Sequence, residues 1–286
     1  MMRPLMQSMI WALVAVGIAV AAAPPFALAQ MGGASNQPSA PTGPVDTNAM
    51  ENELHLLTDV QAQRMDQKER SAYEAFYKEN QEPAKKIELG KAFLQKYPKS
   101  VLAEAVDAGL VNAYIAQHDW SDLYATADNA LALKPDDVDV LTTVGWVIPH
   151  EYHPDDPGAD TLLGKAETYE RHALDVMTTM PKPSHISDAQ FAALKTQKTL
   201  QAHSALGLVY FRRDDYDASA KELQQATKDN PSADQTDLYV LGIDQQNLKR
   251  YADAEDAYNR CAQISGGLAD RCKQGADGAR KLAALK

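Results

Sequence analysis

The sequence predicts an all-α protein, a curved solenoid of stacked helical hairpins, and three observations carry that prediction. First, between positions 200 and 233, Leu206-Gly207, Tyr210, Tyr216, Ser219, Leu223, Ala226 and Pro231 are spaced so that two short helices lie back to back. Second, the next stretch repeats the arrangement with Leu241-Gly242, Tyr251, Ala254, Tyr258 and Cys261, the last standing where the earlier unit has Ala226. Third, prolines such as Pro98, Pro135 and Pro231 follow the second helix of a pair. Small residues let two helix axes approach. Gly207 with Ala226 and Gly242 with Ala254 fit that need, while Tyr210, Tyr216 and Leu223 fill the space around the contact. Proline lacks the N–H that a continuing helix needs. No such pair buries its apolar face alone, so neighbours must stack.

These residues and their period resemble the tetratricopeptide repeat, a helix–turn–helix unit of roughly 34 residues. The resemblance implies a right-handed solenoid whose first helices line a concave face. Units are expected at about 67–100, 104–137, 138–180, 200–233 and 235–267, and a capping helix is expected over 268–286. The whole solenoid is expected to occupy 51–286.

In chain order, Arg3 precedes an apolar run that closes on Ala27-Leu28-Ala29. This pattern predicts a secretory signal peptide over 1–29. Residues 30–50 are rich in Gly, Pro, Ser and Gln and poor in apolar bulk, which predicts a flexible tether. Asp66 and Glu69 read as a capping box before a helix carrying Tyr73, Phe76 and Tyr77, and Pro83 suits the first turn of the helix after it. Glu74 and Phe93 replace the small residues of the later units, so the first unit is divergent. The second has Tyr114, Trp120, Ala130 and Pro135. In the third, Val144-Gly145 is followed by an insertion at 149–160 before the chain resumes with Ala166 and Ala173. Ser187 and Gln190 read as a second capping box, and the helix they open runs on into the fourth unit, making it unusually long.

With 28 Lys and Arg against 39 Asp and Glu, the chain carries a formal net charge of -11. An acidic chain without a basic block argues against nucleic acid and anionic membranes, whose phosphates need basic side chains. Two cysteines, Cys261 and Cys272, in a chain expected to be exported predict a disulfide between the last unit and the cap.

The sequence lacks a G-x-S-x-G elbow, a P-loop, an H-E-x-x-H pair, a haem-attachment motif and a catalytic Cys beside His, so no enzyme is expected and no cofactor is assigned. The insertion gathers His150, His153, Asp155, Asp156 and Asp160, which supplies the alternative reading of a metal- or small-ligand-binding envelope protein. The favoured expectation is a non-enzymatic protein-interaction scaffold of the cell envelope, periplasmic or secreted, that holds a partner's segment on the concave face. An architectural subunit of an envelope complex is a further alternative. Outward stripes on the first helices give the candidate contacts Asn112, Trp146, His150, Leu208, Phe211, Arg212, Tyr239, Ile243 and Asn247. Aromatic anchors with Asn and Arg beside them suit a peptide-binding surface. The opposing reading packs these residues between adjacent first helices.

Overall fold

The computed structural model describes residues 65–183 and 186–285. The expected signal peptide and tether lie outside the described residues. Among those described, the chain forms eleven helices and no strand. They are α1 (Gln67–Lys78), α2 (Pro83–Lys96), α3 (Ala103–Gln117), α4 (Trp120–Leu133), α5 (Val138–His150), α6 (Ala159–Thr179), α7 (Asp188–Arg212), α8 (Tyr216–Thr227), α9 (Gln235–Asn247), α10 (Tyr251–Gln263) and α11 (Ala269–Ala283).

The helix ends follow from local chemistry. The Asp66 carboxylate accepts the Glu69 amide at 2.7 Å, and Pro83 opens α2 without wasting a donor. Ser187 and Gln190 form a reciprocal capping box, from which α7 runs without a break for 25 residues. Three turns share one construction. His118, Asp214 and Lys249 each adopt the left-handed region, with φ of 54°, 58° and 61°. The next residue, Asp119, Asp215 or Arg250, precedes an aromatic first residue, Trp120, Tyr216 or Tyr251. The α5–α6 connection lacks this turn. There the insertion intervenes, and Gly158 opens α6 with φ of 82°.

Packing is local along the chain. Strong contacts join each helix to its sequence neighbour, and further contacts join α1 to α3, α3 to α5, α5 to α7, α7 to α9 and α9 to α11. One apolar cluster spans α1 to α7, with Tyr73, Phe76, Phe93, Leu110, Leu123, Leu163 and Val209 among its members. Smaller clusters continue through α7 to α11. Glycines set the closest approaches. A Cβ on Gly207 would lie 2.5 Å from the Leu223 side chain, one on Gly242 2.5 Å from Tyr258, and one on Gly145 2.4 Å from the Glu170 carboxyl. This corrects the expected pairing of Gly207 with Ala226 and of Gly242 with Ala254. The glycine meets a large residue and not a second small one, because it opens a slot into which the facing helix inserts a side chain.

Cys261 of α10 and Cys272 of α11 form a disulfide, with Cα atoms 5.8 Å apart and both side chains buried. Among the described residues no helix is long and apolar enough to cross a membrane.

Replacing both cysteines by alanine is expected to lower unfolding stability by about 2–3 kcal/mol, the loop-closure entropy of so short a loop. Denaturant titration of the oxidised protein and the double variant measures it. An unchanged midpoint would show that the bond does not restrain the unfolded chain.

Candidate functional site

An open surface trough lies between α5, α7 and α9, with a cavity volume of about 240 Å³. Trp146 of α5 forms one wall, Gln197, Gln201 and Ser204 of α7 the second, and Asp234 and Asp237 at the start of α9 the third. Asn230 lies at its edge. Each helix presents these residues because α5, α7 and α9 pack on one another in series, leaving a trough along the line of contact.

The Trp146 ring is held by His150, one turn further along α5, with ring centroids 3.7 Å apart and nearly parallel planes. His150 Nδ1 lies 2.7 Å from the Trp146 carbonyl oxygen. A carbonyl only accepts, so Nδ1 carries the proton and Nε2 is left as an acceptor. Burial pushes the His150 pKa down to about 4, leaving the ring neutral near pH 7. Arg212 Nε donates to the Pro149 carbonyl at 3.0 Å, and its guanidinium lies over the Tyr152 ring. These contacts fix the end of α5 against α7.

The second wall is tied to the first through Thr142. Gln201 Nε2 donates to the Thr142 carbonyl at 3.2 Å, and Lys198 Nζ donates to Thr142 Oγ1 at 3.2 Å while pairing with Asp139 at 2.7 Å. The third wall is acidic. Asp234 caps α9 by accepting the Thr236 amide at 2.6 Å. Asp237, only 3 % exposed, accepts from Ser204 Oγ at 2.8 Å. Burial, with Asp234 beside it, raises the Asp237 pKa to about 8, so it is protonated near neutral pH. The trough therefore offers one aromatic face, amide groups that both donate and accept, and a carboxyl that is neutral until a cation or a rise in pH removes its proton.

Of the nine residues expected on a binding face, Trp146 lines this trough and His150 supports it from behind. Arg212 is taken up by Pro149 and Tyr152. Leu208 is a correction: it is buried with Ala220, Leu223, Val240 and Leu241. Ser204, Thr142, Pro149 and Ile115, on the same faces of their helices, are buried too. Successive first helices touch, as the α5–α7 and α7–α9 contacts show, so the stripe taken as outward is an inter-helix seam. Phe211 packs partly on the Leu208 cluster, Tyr239 lies 5.9 Å from Tyr258 between ring centroids, and Ile243 is half-buried against the Tyr258 and Ala276 cluster. Asn112 and Asn247 are exposed, the latter donating back to the Ile243 carbonyl.

The acidic and histidine residues of the insertion lie apart. Its His150 ring faces Trp146, Asp160 accepts from Tyr152, and His153, Asp155 and Asp156 are exposed. Among the described residues no group of three or more His, Cys, Asp or Glu is placed to hold a metal ion. Sequence reasoning missed Gln197, Gln201, Asp234 and Asp237. The one available signal was Asp237 three residues after a capping Asp234, a position that ordinarily complements the helix dipole on the surface.

Compared with known proteins, the chain matches no family model and no curated sequence.

The buried carboxyls set the pH dependence of stability. Asp237 and Asp244 rise from 3.8 to about 8 and Asp107 to about 6, each chiefly by burial. The unfolded chain releases these protons near pH 4 while the folded chain keeps them, so their contribution is complete below the unfolded pKa and is lost as pH rises through the folded value. Glu167 runs the other way. Burial opposes its ionisation, but Arg213, Tyr210 and Arg171 hold it down to about 2, so its contribution is present above the unfolded pKa and lost only in strong acid. The melting temperature is expected to fall from about pH 5 to about pH 9, and the Asp237→Asn, Asp244→Asn double variant to flatten that fall. A wild-type melting curve that is flat or rising over this window would refute the assignment.

Proposed function

We propose that this protein is a non-enzymatic interaction scaffold, a right-handed tetratricopeptide-type solenoid closed by α11, that holds an extended segment of a partner protein in the α5–α7–α9 trough. The observation that carries the reading is the lining of that trough: the Trp146 ring opposite Asp234 and Asp237, with the Gln197 and Gln201 amides between. Amides satisfy the backbone of an extended chain, and a tryptophan face with the Asp234 carboxylate opposite favours a basic side chain. The contacts from each helix to its neighbour and to the next but one support the solenoid, since that is how a quasi-one-dimensional stack is held. The three alike turns at His118, Asp214 and Lys249 support a repeated unit. The buried Cys261–Cys272 bond supports a site of action outside reducing compartments, periplasmic or secreted.

A photo-crosslinking residue at Gln197, compared with one at Glu222 on α8, tests the trough in intact source cells. A discrete adduct from position 197 that is absent from 222, and that falls at least about tenfold on Trp146→Ala at unchanged melting temperature, is expected of a buried aromatic anchor. Equal labelling from both positions, or an adduct indifferent to Trp146, would refute the reading.

A further inference from the structure

Glu170 of α6 has a fully buried side chain, and neither of its carboxyl oxygens has a hydrogen-bond partner. It stands against Gly145 where Leu223 stands against Gly207 and Tyr258 against Gly242. A leucine or a tyrosine ring fills such a slot without exposing a polar atom to apolar surroundings. A carboxyl does not, and its anion is far less tolerable there. Burial accordingly drives its pKa well above the ordinary carboxylate range, with Lys198 alone working against the shift.

The helices packed on α6 are α5 and α7, and α4 reaches it through Asp128, which accepts from Lys165 and Tyr169 and is taken up by them. From α7, Lys198 acts on Glu170. From α5, Asp139 and Thr142 act through Lys198, which they hold at 2.7 and 3.2 Å. On α6 itself, Glu167 and Arg171 are engaged with Arg213 and Tyr210, and His172 with Asp136. Among the described residues Lys198 is thus the cation whose charge acts on Glu170, and it already serves as one of the two side chains that fasten α7 to Thr142. The other, Gln201, is a wall of the trough.

We propose that Glu170 is a proton-operated latch on the trough: protonated, it leaves Lys198 on Asp139 and Thr142, and on losing its proton to solvent it draws Lys198 away and loosens the α5–α7 tie. The latch regulates the trough of the proposed function and rests on that reading. An uncompensated anion in the slot leaves two outcomes, a new partner or an opened helix, and Lys198 supplies the nearer one. The trough has titratable groups of its own, Asp234 and Asp237 from α9 and His150 from α5, so the test must separate them from Glu170.

Labelling the full chain with 5-fluorotryptophan gives Trp146 its own resonance, assigned with Trp146→Phe. Asp237 of the trough ionises over the same range, so the test is run in the Asp237→Asn background: on raising the pH from about 6 to about 10 the resonance is expected to shift there and to stay fixed once Glu170→Gln is added. A shift that survives Glu170→Gln in the Asp237→Asn background, or no shift in Asp237→Asn alone, overturns the latch. If Glu170→Gln does not fold, Lys198→Gln in the Asp237→Asn background carries the same test: a fixed resonance is expected, and a shift as large as in Asp237→Asn alone overturns the proposal. Crosslinking of a partner from position 197 is read at about pH 6, where the latch is closed, so its absence there counts against the trough and not against the latch.

Discussion

The close approach of paired helices at Gly145, Gly207 and Gly242 is the contact on which the rest of the structure depends. At each of them a Cβ would fall within 2.5 Å of the facing side chain. The glycine is therefore a socket, and Glu170, Leu223 and Tyr258 are the plugs. Seating a plug brings the second helix of the pair down onto the first. It also turns the opposite side of the first helix toward the next first helix, as the α5–α7 and α7–α9 contacts show. The trough is what remains along that line, bounded by side chains too polar or too large to close it. Trp146 sits next to the Gly145 socket in sequence, so the depth of the socket and the position of the aromatic wall are set together.

Two of the polar groups that the stack encloses have partners supplied across a helix contact: Ser204 donates to Asp237 and Ser219 to Asp244. Each bond offsets part of the cost of taking a carboxyl out of water, and each acid stays protonated to about pH 8. Glu170 has no such donor. An interior with several neutral acids is stable in weak acid and loses stability as they ionise. That is the reverse of the usual dependence, in which salt-bridged carboxylates fail in acid, and here Glu167 and Asp137 are among the groups that behave in the usual way.

Much of the helical order was legible because it is written in local chemistry. Pro83 and Pro98, the Ser187–Gln190 box and the run from 188 to 212 each specify a start, a stop or a length without reference to the rest of the chain. The Cys261–Cys272 pairing was legible because only two cysteines are present and the repeat period sets them on adjacent helices. The binding face was not. A first helix in the stack has two buried sides, one toward its hairpin partner and one toward the next first helix, so a single apolar stripe does not define which side remains open. Leu208 was placed outward on that ground, and the Val240 and Leu241 side chains of α9 cover it. Asp237 was illegible for a related reason, since an acid in the first turn of a helix reads as a surface group until the neighbouring helix that supplies Ser204 is in place. Glu170 was hidden by the insertion, which displaces it from the spacing that aligns Leu223 with Gly207.

If the three sockets are equivalent, the Gly145 socket should accept the residue that fills the one at Gly207. Equilibrium unfolding of Glu170→Leu near pH 7 tests this most directly. Removing an unpartnered buried carboxyl while keeping the plug is expected to raise stability by about 1–3 kcal/mol. A loss of similar size would contradict the account, because it would mean that the Glu170 carboxyl has favourable partners in its slot and that the slot is not the counterpart of the one Leu223 fills.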